Sequence, residues 1–117
     1  MGFMLKVKIT QKINAFIISL SGKCQMSNMT ELEQAVAKVA LKNPEIIYFN
    51  LKNVNYLDSY TITTFIRFVN SFSRDNVKIN FYNISPEVES IFKISKVDLF
   101  FTILTPEQFD DSSFFTN

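Results

Sequence analysis

Leu5 to Thr10 alternates apolar and polar residues at period two, and Ala15 to Leu20 is a denser run rich in β-branched side chains. The two segments predict an opening strand pair, with Gln11 to Asn14 as the turn between them. From Asn28 the period changes. Met29, Leu32, Val36, Val39 and Ala40 recur at helical spacing and predict one face of an amphipathic helix. Asn28 followed by Glu31 offers a capping-box-like start, and Asn43-Pro44 stops the helix because proline disfavours helical geometry in the residue before it. Ile46 to Leu51 reads as a strand with little polar alternation, the pattern of a strand covered on both faces.

The period switches again beyond a polar loop spanning Asn53 to Leu57. Ile62, Phe65, Ile66, Val69 and Phe72 share a helical face, and Asp58 or Ser59 supplies an oxygen to cap the first turn. Arg74-Asp75-Asn76 ends this helix, and Val77 to Tyr82 alternates as a further strand. Ser85-Pro86 then gives an N-cap and a proline at the first helical position, with Val88, Ile91 and Phe92 as that helix's core face. A short strand around Phe100 to Leu104, a Pro106-led turn of helix and a polar tail complete the chain. Alternating strands and helices predict an α/β fold, a mixed and mostly parallel sheet of about five strands with three to four helices.

Neither an internal repeat nor a Gly/Ser/Pro-rich linker divides the sequence, so residues 1–117 read as a single domain with its core at about 5–110 and a polar tail over 111–117. A chain of this size buries roughly two-thirds of its unfolded surface and needs neither disulfide nor metal to stand alone. Cys24 is the only cysteine, which favours a buried structural thiol and a reducing, cytoplasmic setting. Most of the phenylalanines fall on predicted core faces; Phe114 and Phe115, beyond the last element, do not.

Composition excludes more than it includes. The chain has no histidine, which removes Ser-His-Asp and Cys-His nucleophile pairs together with the commonest transition-metal ligand. With only two glycines, Gly2 and Gly22, no GxGxxG or Walker loop can be written. No catalytic residue, cofactor or metal is therefore expected. A formal net charge of +1 gives no electrostatic footprint for nucleic acid, and no apolar run is long enough to insert into a membrane. The opening residues carry charge early, have no small-residue cleavage site and read as strand rather than signal peptide.

One segment brings chemistry together. Phe49 to Ser59 runs from a buried strand through a polar loop and delivers Asp58 and Ser59 to the start of a helix. In open α/β sheets, sites are built in such loops at the carboxyl ends of strands. Free first-turn amides and the helix dipole favour a negative group there, so a phosphate on Ser59 is favoured by the helix end and opposed by the Asp58 carboxylate. The plain alternative is that Asp58 or Ser59 acts as an N-cap alone, worth about 1 kcal/mol.

The sequence resembles the STAS domain family of bacterial anti-sigma-factor antagonists. Three segments carry the resemblance: Ile18-Ser19-Leu20-Ser21-Gly22 before a capped helix; Tyr48 to Ser59; and Asn83-Ile84-Ser85-Pro86-Glu87-Val88 with Ile91-Phe92 and Val97-Asp98-Leu99-Phe100 behind it. Their order and spacing span about residues 5–110. The resemblance implies a non-enzymatic phosphoprotein of transcription regulation that works by partner switching. The unphosphorylated domain would bind an anti-sigma factor with serine kinase activity, phosphorylation at Ser59 would release it, and a phosphatase would reset it. Ser59 is then the phosphoacceptor and Asp58 its supporting acid, with Lys23, Gln25, Asn53, Asn55, Tyr60 and Thr61 as the partner-binding surface. Thr61, Thr63 and Thr64 are secondary hydroxyls. Tyr60 and Thr61 stand where the family usually has a small residue and glycine, Asn50 stands for a common aspartate, and Lys23 for a common acid. The alternative is a STAS scaffold or interaction subunit that is never phosphorylated.

Overall fold

A hairpin opens the structure. Strands β1 (Lys6–Lys12) and β2 (Ala15–Ser21) pair antiparallel from Lys6 opposite Ser21 to Lys12 opposite Ala15. Their turn needs a residue at positive φ, and Asn14 supplies it at 59°. The computed structural model describes residues 4–109, so Phe114 and Phe115 lie outside the described residues. Next come α1 (Met29–Ala40), β3 (Ile46–Asn53), α2 (Ser59–Arg74), β4 (Lys78–Tyr82), α3 (Pro86–Ile94), β5 (Thr102–Ile103) and α4 (Pro106–Phe109). The sheet order is β1-β2-β3-β4-β5, and every pair after the hairpin is parallel. A single α/β domain with a five-stranded mixed sheet and four α-helices results.

Parity along the strands separates two faces. Phe16, Ile18 and Leu20 of β2, Ile47, Phe49 and Leu51 of β3, and Ile79 and Phe81 of β4 pack with buried side chains of α1, α2 and α3 in one large core. Phe81 sits at its centre, with ring centroids 5.3 Å from Phe49, 5.1 Å from Phe65 and 4.7 Å from Phe101. On the opposite face a smaller cluster gathers Ala15, Ile17, Tyr48 and Tyr82, against which Ile46 and Leu104 pack. The continuous apolar run of β3 thus follows from burial on both faces over its first half, whereas Asn50 is half-buried and Lys52 exposed.

Several local expectations shift. In α1 the buried stripe is centred between Leu32 and Val39, so its rim falls on Ala35 and leaves Ala40 exposed. In α2 the stripe turns towards Phe68, whose ring stacks on Phe49 at 6.2 Å, and Ile66 and Val69 are only half-buried. Asn28 does not cap α1 with its side chain. It turns back into the preceding loop, where Oδ1 accepts from Gln25 N–H (3.0 Å) and Nδ2 donates to Lys23 C=O (2.8 Å). The last strand shortens to two residues because a 3₁₀ turn at Val97–Leu99 precedes it.

Candidate functional site

Two loops at the carboxyl ends of β2 and β3 are joined residue by residue. After a register shift between Ser19 and Ser21, Gly22 N–H donates to Asn53 C=O, Cys24 N–H to Tyr56 C=O and Asp58 N–H to Cys24 C=O, at 3.0, 3.0 and 3.1 Å. Gly22 has φ 122°, a backbone conformation that L side chains rarely adopt, so the bend requires glycine. Val54 and Leu57 are buried and hold down the second loop, with Asn55 and Tyr56 left exposed between them. A third loop joins in: Ser85 caps α3 by accepting from Val88 N–H, and its hydroxyl donates to Val54 C=O at 3.1 Å.

Asp58 is the N-cap of α2. Its Oδ1 accepts from Thr61 N–H (2.9 Å) and the Thr61 hydroxyl (2.8 Å), and its Oδ2 accepts from Met26 N–H (2.9 Å). Burial pushes the carboxyl up, but these hydrogen bonds outweigh it and hold Asp58 below its ordinary value, in the charged form. Directly beneath lies Cys24, fully buried, whose thiol is pushed from 9.0 to about 12 by burial and then by the Asp58 charge. This thiol is a packing group, inert as a nucleophile.

Ser59 follows Asp58 as the first residue of the 16-residue α2. It is exposed, and among the described residues no hydrogen bond engages its hydroxyl. Lys23, Asn53, Asn55 and Tyr60 are also exposed, and Gln25 is half-buried. Thr61 is different. It was expected on the partner-facing surface, but it is wholly buried, its hydroxyl held by Asp58 and lying 3.7 Å from the Met29 sulfur. Neither Tyr60 nor Thr61 has a positive φ, so this helix start demands no glycine. Thr63 is exposed, and Thr64 is buried with its hydroxyl donating to Tyr60 C=O at 2.8 Å.

Sequence reasoning missed two contributors. Met26 gives Asp58 its second anchor and leaves an exposed apolar side chain beside the site, as Tyr56 and Tyr60 also do. Nothing local in the sequence signals that bond. By contrast, the Asp58-x-x-Thr61 spacing is a capping signature that was there to be read. Among the described residues, no group of three or more His, Cys, Asp or Glu side chains gathers to hold a metal ion, and no helix is long and apolar enough to cross a membrane.

An open α/β sheet carries helices α1, α2 and α3 on one face and an exposed serine on a capped helix start at its carboxyl edge. Residues 5–110 match the STAS domain model, and the chain belongs to that family. An anti-sigma-B factor antagonist of Staphylococcus aureus is 21% identical over 91 residues, covering 78% of this chain and 84% of the relative. Among solved structures, an anti-sigma factor antagonist from Mycobacterium paratuberculosis superposes with a TM-score of 0.69 at 17% identity, covering 87% of this chain and 86% of the other. The Bacillus cell fate determinant SpoIIAA in its phosphorylated form superposes with a TM-score of 0.66 at 14% identity, covering 93% and 98%.

Proposed function

We propose that this chain is an anti-sigma-factor antagonist that works by partner switching, with Ser59 as its phosphoacceptor. One observation carries the reading: an exposed, unengaged hydroxyl at the first position of a long helix, fixed by an aspartate whose hydrogen bonds are all directed away from it. In the unphosphorylated state the surface around Ser59 offers Lys23, Asn53, Asn55 and Tyr60 together with the apolar Met26 and Tyr56, a mixture suited to a protein partner. A phosphate would add close to two negative charges to that surface. The free amides at the start of α2 would steady the phosphate, while its charge and hydration would oppose docking.

Family membership and the relatives named antagonists support this reading. The similar SpoIIAA has been solved in unphosphorylated and phosphorylated forms. The chain itself performs no catalysis in this scheme. Its partner is an anti-sigma factor with serine kinase activity, a phosphatase restores the free hydroxyl, and the encounters take place in the cytoplasm. Residues 1–117 act as one domain.

The test is intact mass with phosphosite mapping on protein purified from its own host under phosphatase inhibition, followed by kinase assay with the cognate anti-sigma factor. Phosphate is expected on Ser59 and is expected to vanish in Ser59→Ala. Ser59→Asp is expected to weaken partner binding by about tenfold or more, a change of about 1.4 kcal/mol. Phosphate that persists unchanged in Ser59→Ala overturns the assignment. Unmodified protein across growth and stress conditions, with Ser59→Asp binding at wild-type strength, establishes the scaffold reading instead.

A further inference from the structure

The strands carry five charged residues, and all five are lysines: Lys6, Lys8 and Lys12 on β1, Lys52 on β3 and Lys78 on β4. Acidic residues of the described chain lie only on helices and loops. Lys6, Lys8 and Lys12 stand opposite Ser21, Ser19 and Ala15, while Ile18 and Leu20 of the same strand enter the main core. Cross-strand partners share a face, so the three lysines project from the side turned away from α1, α2 and α3. Lys78 has the parity of Tyr82 and pairs with Ile46, which packs on the smaller cluster, so it joins the three lysines there. The outer sheet face is thus locally basic within a molecule of net charge +1.

At one border of this face lies a hollow of about 200 Å³ lined by Lys6, Val7, Lys8, Ser19, Leu20, Ser21 and Asn53. Ammonium, hydroxyl and amide groups stand in it beside apolar surface that includes Val7 and Leu20, and no carboxylate lines it. Arg67 pairs with Glu33 and Lys93 with Glu89 on the helices, and among the described residues no ion pair engages Lys6 or Lys8. Beside the hollow, Asn50 Nδ2 donates to the Ser19 hydroxyl (3.3 Å) and Asn83 Nδ2 donates to Asn50 Oδ1 (3.2 Å), extending the polar surface to β4.

We propose that this cationic border, centred on the hollow between Lys6, Lys8, Ser19, Ser21 and Asn53, is a docking surface for an acidic polypeptide segment, which adjoins the Ser59 surface at Asn53 but is centred on β1 and β2. Lysines on an edge strand guard against edge-to-edge aggregation, which accounts for β1. That role does not account for the hollow, where hydroxyl and amide donors of β2 and β3 stand beside Lys6 and Lys8. The hollow is smaller than the roughly 300–1,000 Å³ of small-molecule sites, and it suits one carboxylate side chain delivered by a larger partner. A second copy is disfavoured, since antiparallel pairing of β1 with itself would set lysine rows against one another. Hydroxyl and amide donors spaced along two strands direct hydrogen bonds to individual carboxylates, a specificity that a fluid anionic lipid surface does not use.

The probe is a fluorescently labelled short peptide of alternating Glu and Ser, titrated with the full chain and followed by anisotropy. Saturable binding is expected, weakening as salt rises. The double variant Lys6→Ala/Lys8→Ala is expected to weaken it by about tenfold or more. Both lysines are exposed, so the variant's thermal transition is expected to match the parent's, and a Lys93→Ala control on α3 is expected to bind normally. Ser59→Asp is expected to change affinity by less than about twofold, which separates this surface from the proposed switch. Absence of saturable binding, equal binding by the double variant, or loss confined to Ser59→Asp overturns the proposal. Binding to phosphatidylserine-containing vesicles without binding to the peptide overturns it in favour of a membrane surface.

Discussion

Both oxygens of Asp58 are occupied, one by Thr61 within its own helix and one by Met26, 32 positions away in sequence. Asp58→Asn keeps one acceptor and turns an NH₂ towards the Met26 N–H, so a loss of about 1–3 kcal/mol is expected in denaturant unfolding. The pH dependence has a definite sign. Because the fold holds this carboxyl below its ordinary value, its contribution is complete above the unfolded pKa of about 3.9 and is lost as pH falls through the lower folded value. The Asn variant is therefore expected to show a flatter acid limb than the parent, measured by urea midpoints from neutral to acid pH. A cap was legible at Asp58 or Ser59, since either type before a helical period is a local pattern, and the structure places it on Asp58. Its Met26 partner was not, because nothing in either segment encodes their approach.

At the scale of elements, α2 and β4 are joined through aromatic packing. Phe81 contacts the rings of Phe49, Phe65, Phe92 and Phe101, and Phe81→Ala is expected to cost about 3–5 kcal/mol in unfolding free energy, against about 1 kcal/mol for Val69→Ala on the half-buried rim of α2. Ser85→Ala removes the cap of α3 and the hydroxyl that reaches Val54, and a loss of about 1–2 kcal/mol is expected by the same measurement. Helices and strands were readable because period and stop signals are local. The exact burial rim was not: whether Ala35 or Ala40, Phe68 or Ile66 faces the sheet depends on how each helix is rotated against neighbours the periodicity does not specify.

Across the whole molecule, stability rests on one large core and one small one, with Cys24, Tyr48 and Tyr82 as titratable members, each raised by burial. Burial raises the Tyr82 hydroxyl from 10.0 to about 12 and is the leading cause that raises the Cys24 thiol to about 12. Groups raised in the fold stabilise it below their unfolded pKa, and that contribution is lost as pH rises towards the folded value. Stability is thus expected to decline between about pH 9 and pH 12, and Cys24→Ala is expected to lose less between pH 7 and pH 10 than the parent when urea midpoints are compared. The sequence by itself determined the order and type of the elements, the fold class, an N-cap at Asp58 or Ser59 and the absence of histidine chemistry, all of which follow from short-range spacing and composition. Only the tertiary structure decided that Thr61 is buried beneath Asp58, that the 22–28 and 53–58 loops are joined through Cys24 and Met26, and that Lys6, Lys8, Lys12 and Lys78 share one sheet face. Each of those depends on strand order and register, which bring together residues whose separation along the chain leaves no mark in either local pattern.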